Sequence, residues 1–238
     1  MYQYTEKLKS QLDKVIQTNE ETMKQVSNLV FNTIKDDKII HVLGTGHSHM
    51  IGLEMFIRAG GLANVNAILD PNVLTSDGAL RSSKLERVSG IADILYEDIV
   101  TEKGDLFIVI SNSGRNAIPI EFALRAKKEG HNVVVLTSLE QSKQYPSRHI
   151  SGKKLYEIGD YVLDNCVPSG DGLFSIDGLI TGAASSIQGM AIINTIVFEA
   201  MKKASKENIK LPVFSSQNVD GYNNDALYEK YRNRIKHM

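Results

Sequence analysis

Between residues 3 and 35 the apolar positions Leu8, Leu12, Val15, Ile16, Met23, Val26, Leu29, Val30 and Ile34 recur mostly at spacings of three and four. That is the period of one face of an α-helix, and Lys, Glu, Gln and Asp fill the opposite positions. The spacing predicts one long helix, about 50 Å end to end at 1.5 Å per residue. Such a helix packs on its own domain and, at that length, is also long enough to reach past it to a partner subunit. After it the period changes. Residues 38–43 form a short apolar run ending in glycine and read as a buried strand. A helix over 50–59 follows, closed by Gly60-Gly61. Further strands are read at 64–69, 105–110, 132–136 and 161–163. Helices are read at 117–129, stopped by Gly130, at 183–204, and at 222–236 as a charged C-terminal helix. Strands alternating with helices predict a parallel sheet covered on both faces. The segments 71–90 and 140–158 read as long polar loops, of the kind that carry function or contacts. No linker or repeat divides the chain. It is read as one domain over 1–238, with an N-terminal helix (1–37), an α/β core (38–204) and a C-terminal extension (205–238).

Composition narrows the function classes. The 238 residues carry 27 Lys+Arg against 28 Asp+Glu, a net charge of −1. A bulk basic footprint for nucleic acid or an anionic membrane is excluded. The single cysteine, Cys166, excludes a disulfide framework and a Cys-based zinc site and is compatible with a reducing cytoplasm. It has no histidine partner in sequence and reads as a buried structural thiol. The longest uncharged run, 178–198, could span a bilayer by length, but Thr181, Ser185, Ser186, Gln188, Asn194 and Thr195 make it a loop feeding a buried helix. The charged N-terminus is not a signal peptide. The expectation is a cytoplasmic protein with no membrane or nucleic-acid partner.

Two loops carry the candidate chemistry. Gly44-Thr45-Gly46-His47-Ser48-His49 follows the first strand, and Ser111-Asn112-Ser113-Gly114-Arg115-Asn116 follows the third. Open α/β sheets bind ligands at the carboxyl ends of their strands. Glycines let a backbone approach a ligand, and the following helix N-termini supply free N–H groups and partial positive charge. Hydroxyls of Ser48, Ser111 and Ser113 and the Asn116 amide can donate to phosphate oxygens. The bland alternative for 111–116 is a capped turn. Gly44-x-Gly46 also opens like a dinucleotide fingerprint, with Asp70 placed for a ribose. The fingerprint needs a third glycine where His49 stands, so a dinucleotide enzyme is disfavoured.

The same residues carry a resemblance. Gly-Thr-Gly-His-Ser-His over 44–49 and Ile-Ser-Asn-Ser-Gly-Arg-Asn over 110–116 resemble the phosphosugar-binding loops of the SIS (sugar isomerase) domain, and the likeness extends over about 38–200. Ser48-His49 is shared with single-domain SIS proteins of the phosphoheptose isomerase type. The resemblance implies an α/β/α sandwich around a five-stranded parallel sheet of flavodoxin-like order. It implies phosphate contacts at Ser48, Ser111, Ser113 and Asn116, with Thr45, Gly46, His49 and Asn112 beside them, and assembly as a homodimer or homotetramer. The phosphoheptose isomerase acid/base set is not retained. Its glutamate falls near Arg58, a metal-site histidine near Glu54 and its final-helix histidine near Ile196, while its glutamine matches Gln188.

Aldose–ketose isomerisation needs a base to move a proton between C1 and C2 through an enediol, and a group to serve the carbonyl oxygen. The candidates are Glu54, His47 and Glu86, the last within Ser82-Ser-Lys-Leu-Glu-Arg87, where a solvated ion pair is the commoner case. Asp171 and Gln188 are candidate sugar contacts. For Asp171 and Asn165, turn chemistry is the competing reading. No metal and no nucleotide cofactor is expected. The expected function is a sugar-phosphate isomerase or related phosphosugar-processing enzyme. The alternative is a non-catalytic phosphosugar sensor, for which a DNA-binding helix-turn-helix has no room before residue 38.

Overall fold

A computed structural model describes residues 2–238. The first helix, α1, runs Gln3–Lys35, and its apolar stripe, Val15, Met23, Val26, Val30 and Ile34 among it, is buried. Five strands form one sheet: β1 (Ile40–Gly44), β2 (Val65–Ala67), β3 (Leu106–Ile110), β4 (Asn132–Thr137) and β5 (Tyr161–Asp164). Their order is β2-β1-β3-β4-β5 and every pairing is parallel. This is the flavodoxin-like order that the resemblance implies, and it makes β1 and β3 neighbours. Alternate strand residues feed two cores. Ile40, Val42, Ile108, Val134 and Leu136 pack under α1, α2 (His49–Met55) and α7 (Ser185–Lys206). Leu43, Phe107, Val109, Val133 and Val135 pack under α4 (Ile91–Glu97) and α5 (Ala117–Lys128). Both sheet faces are covered, which is why these strands read as continuous apolar runs rather than as alternation.

The connecting segments hold more structure than their polar composition suggests. Within 71–90 lies α3 (Ala79–Leu85), and within 140–158 most of α6 (Leu139–Gln144), started by the Ser138 hydroxyl, which accepts from the Gln141 N–H at 3.1 Å. The helix α2 stops at Met55 instead of residue 59 because Phe56 is extended and Ile57 turns to φ 39°. Residues 174–181 form a hairpin of β6 (Phe174–Ile176) and β7 (Leu179–Thr181), where only a loop was expected. The C-terminal helix shortens to α8 (Asp225–Tyr231). Around it, Ile39, Ala63, Phe214, Tyr231 and Ile235 form a third, smaller cluster at the amino-terminal end of the sheet. Cys166 is buried, with φ 55°. Among the described residues no helix is long and apolar enough to cross a membrane.

Candidate functional site

The register sets the site. Gly44, the last residue of β1, pairs with Ile110, the last of β3, so the two loops leave the sheet side by side at its carboxyl edge. The first loop turns tightly. A Cβ on Gly44 would lie 2.4 Å from the Ser48 carbonyl oxygen, so only glycine lets the turn 46–48 fold back over the strand. In the second loop Gly114 takes φ 57°, and its N–H donates to the Ser111 hydroxyl at 3.1 Å. Asn116 is then the extended residue that opens α5. A cleft of about 340 Å³ lies between the loops. Thr45, Gly46, His47 and Ser48 line one side of it, and Ser111, Asn112, Ser113 and Asn116 the other.

Glu86 closes the floor between them. It enters from the C-terminal end of α3, and its carboxylate accepts from Thr45 Oγ1 at 2.9 Å and from Asn116 Nδ2 at 2.7 Å. One carboxylate thus ties the two loops together. Burial pushes its pKa above the ordinary glutamate range, against the opposing pull of the Thr45 hydrogen bond and of the Arg87 and Arg148 charges. A half-buried carboxylate with a raised pKa, touching both walls of a polar cleft, is a candidate for proton transfer.

The other candidates divide. His47 is exposed and lines the cleft. Asp171 lines it too, and its carboxylate also caps α7, accepting from the Ala184 and Ser185 N–H groups at 3.2 and 2.9 Å and from Ser185 Oγ at 2.6 Å. Asn165 donates to Asn112 Oδ1 at 2.8 Å, and Asn112 Nδ2 donates to Gln141 Oε1 at 2.6 Å, a chain of amides that orients Asn112. Three expected residues lie off the cleft wall. The His49 ring turns back on the Gly46 carbonyl at the start of α2. Gln188 is fully buried on the inner face of α7, and neither of its amide atoms has a hydrogen-bond partner. Glu54 faces a separate cavity of about 310 Å³ beside α2 and α7, where it pairs with Arg58 and accepts from Asn194 at 2.8 Å. Its distance from the loops follows from the helical turn that carries it from Ser48 round to the α7 side. Among the described residues no three His, Cys, Asp or Glu side chains converge as a metal-ligating group.

Gln141, Gly170 and Ser185 complete the wall and were not among the sequence candidates. For Gln141 the signal was available: Ser138 is a good N-cap directly after β4, so a third helix start faces the same sheet edge.

With this geometry in view, comparison with known proteins decides the family. The sequence profile of the SIS domain matches residues 3–138. The chain belongs to the SIS domain family. A UPF0309 protein of Caldanaerobacter subterraneus subsp. tengcongensis is 38% identical over 242 residues, covering 99% of this chain and 98% of that protein. A UPF0309 protein of Geobacillus kaustophilus is 39% identical over 239 residues, covering 98% and 94%. Among solved structures, phosphoheptose isomerase of Neisseria gonorrhoeae matches 84% of this chain and 95% of its own with TM-score 0.57 at 17% identity. The NanR protein of Vibrio vulnificus, solved with ManNAc-6P, matches 86% of this chain with TM-score 0.54 at 17% identity, and the SIS chain spans 63% of it. At these identities the structural likeness speaks for the fold.

Proposed function

We propose that this SIS protein binds a sugar phosphate in the cleft between the 45–48 and 111–116 loops and isomerises it between aldose and ketose. The observation that carries the reading is Glu86, a carboxylate of raised pKa hydrogen-bonded to both loops. The hydroxyls of Ser48, Ser111 and Ser113 hold the phosphate, helped by the N-terminus of α5, whose dipole favours an anion. That fixes the sugar chain along the floor. Glu86 takes the proton from the carbon next to the carbonyl to give an enediol and returns it to the neighbouring carbon, so the base is regenerated and no redox partner is needed. His47, exposed at the rim, serves the carbonyl oxygen. Asp171, with Ser185, meets a sugar hydroxyl. Glu86→Gln keeps the size and, with its oxygen toward Asn116 and its NH2 donating to the Thr45 hydroxyl, contact with both loops, but it removes the base. Turnover should fall by roughly 10²–10⁴-fold while ligand affinity stays within a factor of a few.

A second reading has its own observation, the likeness to NanR, which is solved with ManNAc-6P. In that reading the cleft binds and does not turn over. Wild-type protein that binds a sugar phosphate, with no proton exchange at C1 or C2 in deuterated water, would select it.

The reading includes a second copy of the chain. The α1–α2–α7 layer exposes Ile16, Leu53, Ile187 and Phe198, and the hairpin exposes Ile176, Leu179 and Ile180. A two-stranded hairpin this short is marginal alone, and apolar surface gathered on one layer favours burial against a partner. Phe198→Glu should shift the mass measured by light scattering from dimer or tetramer to monomer.

A further inference from the structure

The chain has eight arginines. Five of them form ion pairs: Arg58 with Glu54, Arg81 with Asp77, Arg125 with Asp93 and Glu129, Arg232 with Glu229, and Arg234 with Glu102 and Asp105. Among the described residues the other three, Arg87, Arg115 and Arg148, have no carboxylate within 4 Å. These three are neighbours. Arg87 follows Glu86, and Arg115 precedes Asn116. The Arg148 N–H donates to the Arg115 carbonyl at 2.9 Å, and its Nη1 donates to Asn116 Oδ1 at 3.0 Å. The Arg115 guanidinium lies over the Tyr145 ring at 5.3 Å, with its Nε enclosed and without a partner.

The local charge does not balance. Glu86 feels the charges of Arg87 and Arg148, and it is already bonded to Thr45 and Asn116. Two other acids of this region are engaged: Glu121 by the Gly90 N–H at 2.8 Å and by His149 at 3.2 Å, and Glu157 by the Lys154 N–H at 2.6 Å. Burial first, and then the charges of Arg115 and Arg87, push the Arg148 pKa down, against the opposing pull of Glu86. Gathering three guanidiniums with no carboxylate in ion-pair contact costs free energy that a bound anion recovers. The guanidinium fork matches carboxylate and phosphate.

We propose that Arg87, Arg115 and Arg148 form an anion subsite at the rim of the cleft, so that the ligand class is a sugar phosphate carrying a second acidic group, a carboxylate or a second phosphate. This rests on the phosphosugar reading: the serine loops take one phosphate and the rim takes the other anion. The rim also defines polarity, because it places the second anion on the Glu86 side of the phosphate and therefore toward the carbons that exchange the proton.

The test is titration calorimetry at fixed pH and salt with glucose 6-phosphate, 6-phosphogluconate and fructose 1,6-bisphosphate. At least one of the two doubly acidic ligands should bind about tenfold or more tighter than glucose 6-phosphate, the worth of one charge-assisted contact. Which of them gains the advantage distinguishes carboxylate from phosphate. In the double variant Arg87→Gln/Arg115→Gln that advantage should vanish, with glucose 6-phosphate affinity nearly unchanged. Three results overturn the subsite: equal affinity for all three ligands, an advantage that persists in the double variant, or an equal loss for all three, which would place the guanidiniums on the first phosphate. Ser113→Ala separates the two levels. It should weaken all three ligands, and if it weakens none, or no ligand binds the wild type, the phosphosugar reading falls and takes the subsite with it.

Discussion

At the scale of single residues, Glu86 and Gln188 make opposite predictions. Glu86 must be deprotonated to act as a base, and burial holds its pKa above the ordinary glutamate range. The rate at low substrate should therefore rise with pH through a midpoint above that range and level off toward neutrality. Arg87→Gln removes a charge that lowers the pKa, so the midpoint should move up. Gln188 carries a fully buried amide with neither atom bonded. An unsatisfied buried polar group costs about 1–3 kcal/mol, so Gln188→Met should raise the unfolding free energy by roughly 1 kcal/mol. A loss of stability would show that the amide has a partner in solution. The serine and asparagine positions of both loops were legible in sequence, because loop chemistry at strand ends is local. Glu86 was readable only as one of three candidate bases: its contacts are with residues 41 positions before it and 30 after it, and its own neighbourhood, Lys84 to Arg87, reads as a solvated surface.

At the scale of elements, Gly44 is the part of the first loop that tolerates least. A methyl group there meets the Ser48 carbonyl and the His49 amide nitrogen at 2.4 and 2.8 Å, backbone atoms that cannot swing aside. Gly44→Ala should cost about 1–3 kcal/mol of stability through overpacking and weaken sugar phosphates alongside it, since the loop itself must move. Denaturant titration and calorimetry on the same variant check both. The strands were readable because burial on both faces leaves uninterrupted runs such as Leu106–Ile110. The hairpin carried a turn signal too, Asp177-Gly178 between Phe-Ser-Ile and Leu-Ile-Thr, with φ of 51° and 78° at the two turn residues. It was hidden by the uncharged run from 178 onward, which reads as the approach to a helix. The early end of α2 had no comparable signal. Nothing in Phe56-Ile57 forbids helix, and the stop comes from the chain turning to pair Gly60, Gly61 and Ala63 with residues 212–214.

Across the whole molecule, the end of the sheet opposite the cleft holds a buried polar latch. Asp105 accepts from the Ile39 N–H at 2.9 Å, the Glu102 N–H at 2.6 Å and Arg234 Nη2 at 2.8 Å, and it meets His41 Nε2 at 3.2 Å. Arg234 comes from beyond α8, so the latch joins the C-terminal segment to β1 and β3. Burial alone would raise the Asp105 carboxyl, but the hydrogen bonds from His41, Ile39 and Glu102 reverse this and hold it at about 2. Burial keeps His41 below its ordinary pKa. Both shifts have the same sign for stability: the folded state binds fewer protons than the unfolded one. The Asp105 contribution, roughly 2–3 kcal/mol, is complete above the unfolded pKa near 4 and is lost as pH falls through about 2. The His41 cost begins earlier, as pH drops below its unfolded value of about 6.5. Urea unfolding from pH 7 to pH 3 should show a steady loss of stability, and Asp105→Asn should flatten its acid limb. A parallel sheet with both faces covered was foreseeable from the alternation of strands and helices, and its order from the resemblance of the two loops to the SIS domain. The latch was not, because it joins residues at 41, 105 and 234 that no short pattern links.

The central claim, that the paired serine loops hold the phosphate of a sugar, is tested most directly by calorimetric titration of wild type and Ser113→Ala with sugar phosphates, each beside its unphosphorylated parent. Saturable binding of a phosphorylated sugar, none of its parent, and about a tenfold or greater loss in Ser113→Ala are predicted. Equal binding of sugar and sugar phosphate, or an affinity indifferent to Ser113→Ala, would contradict it.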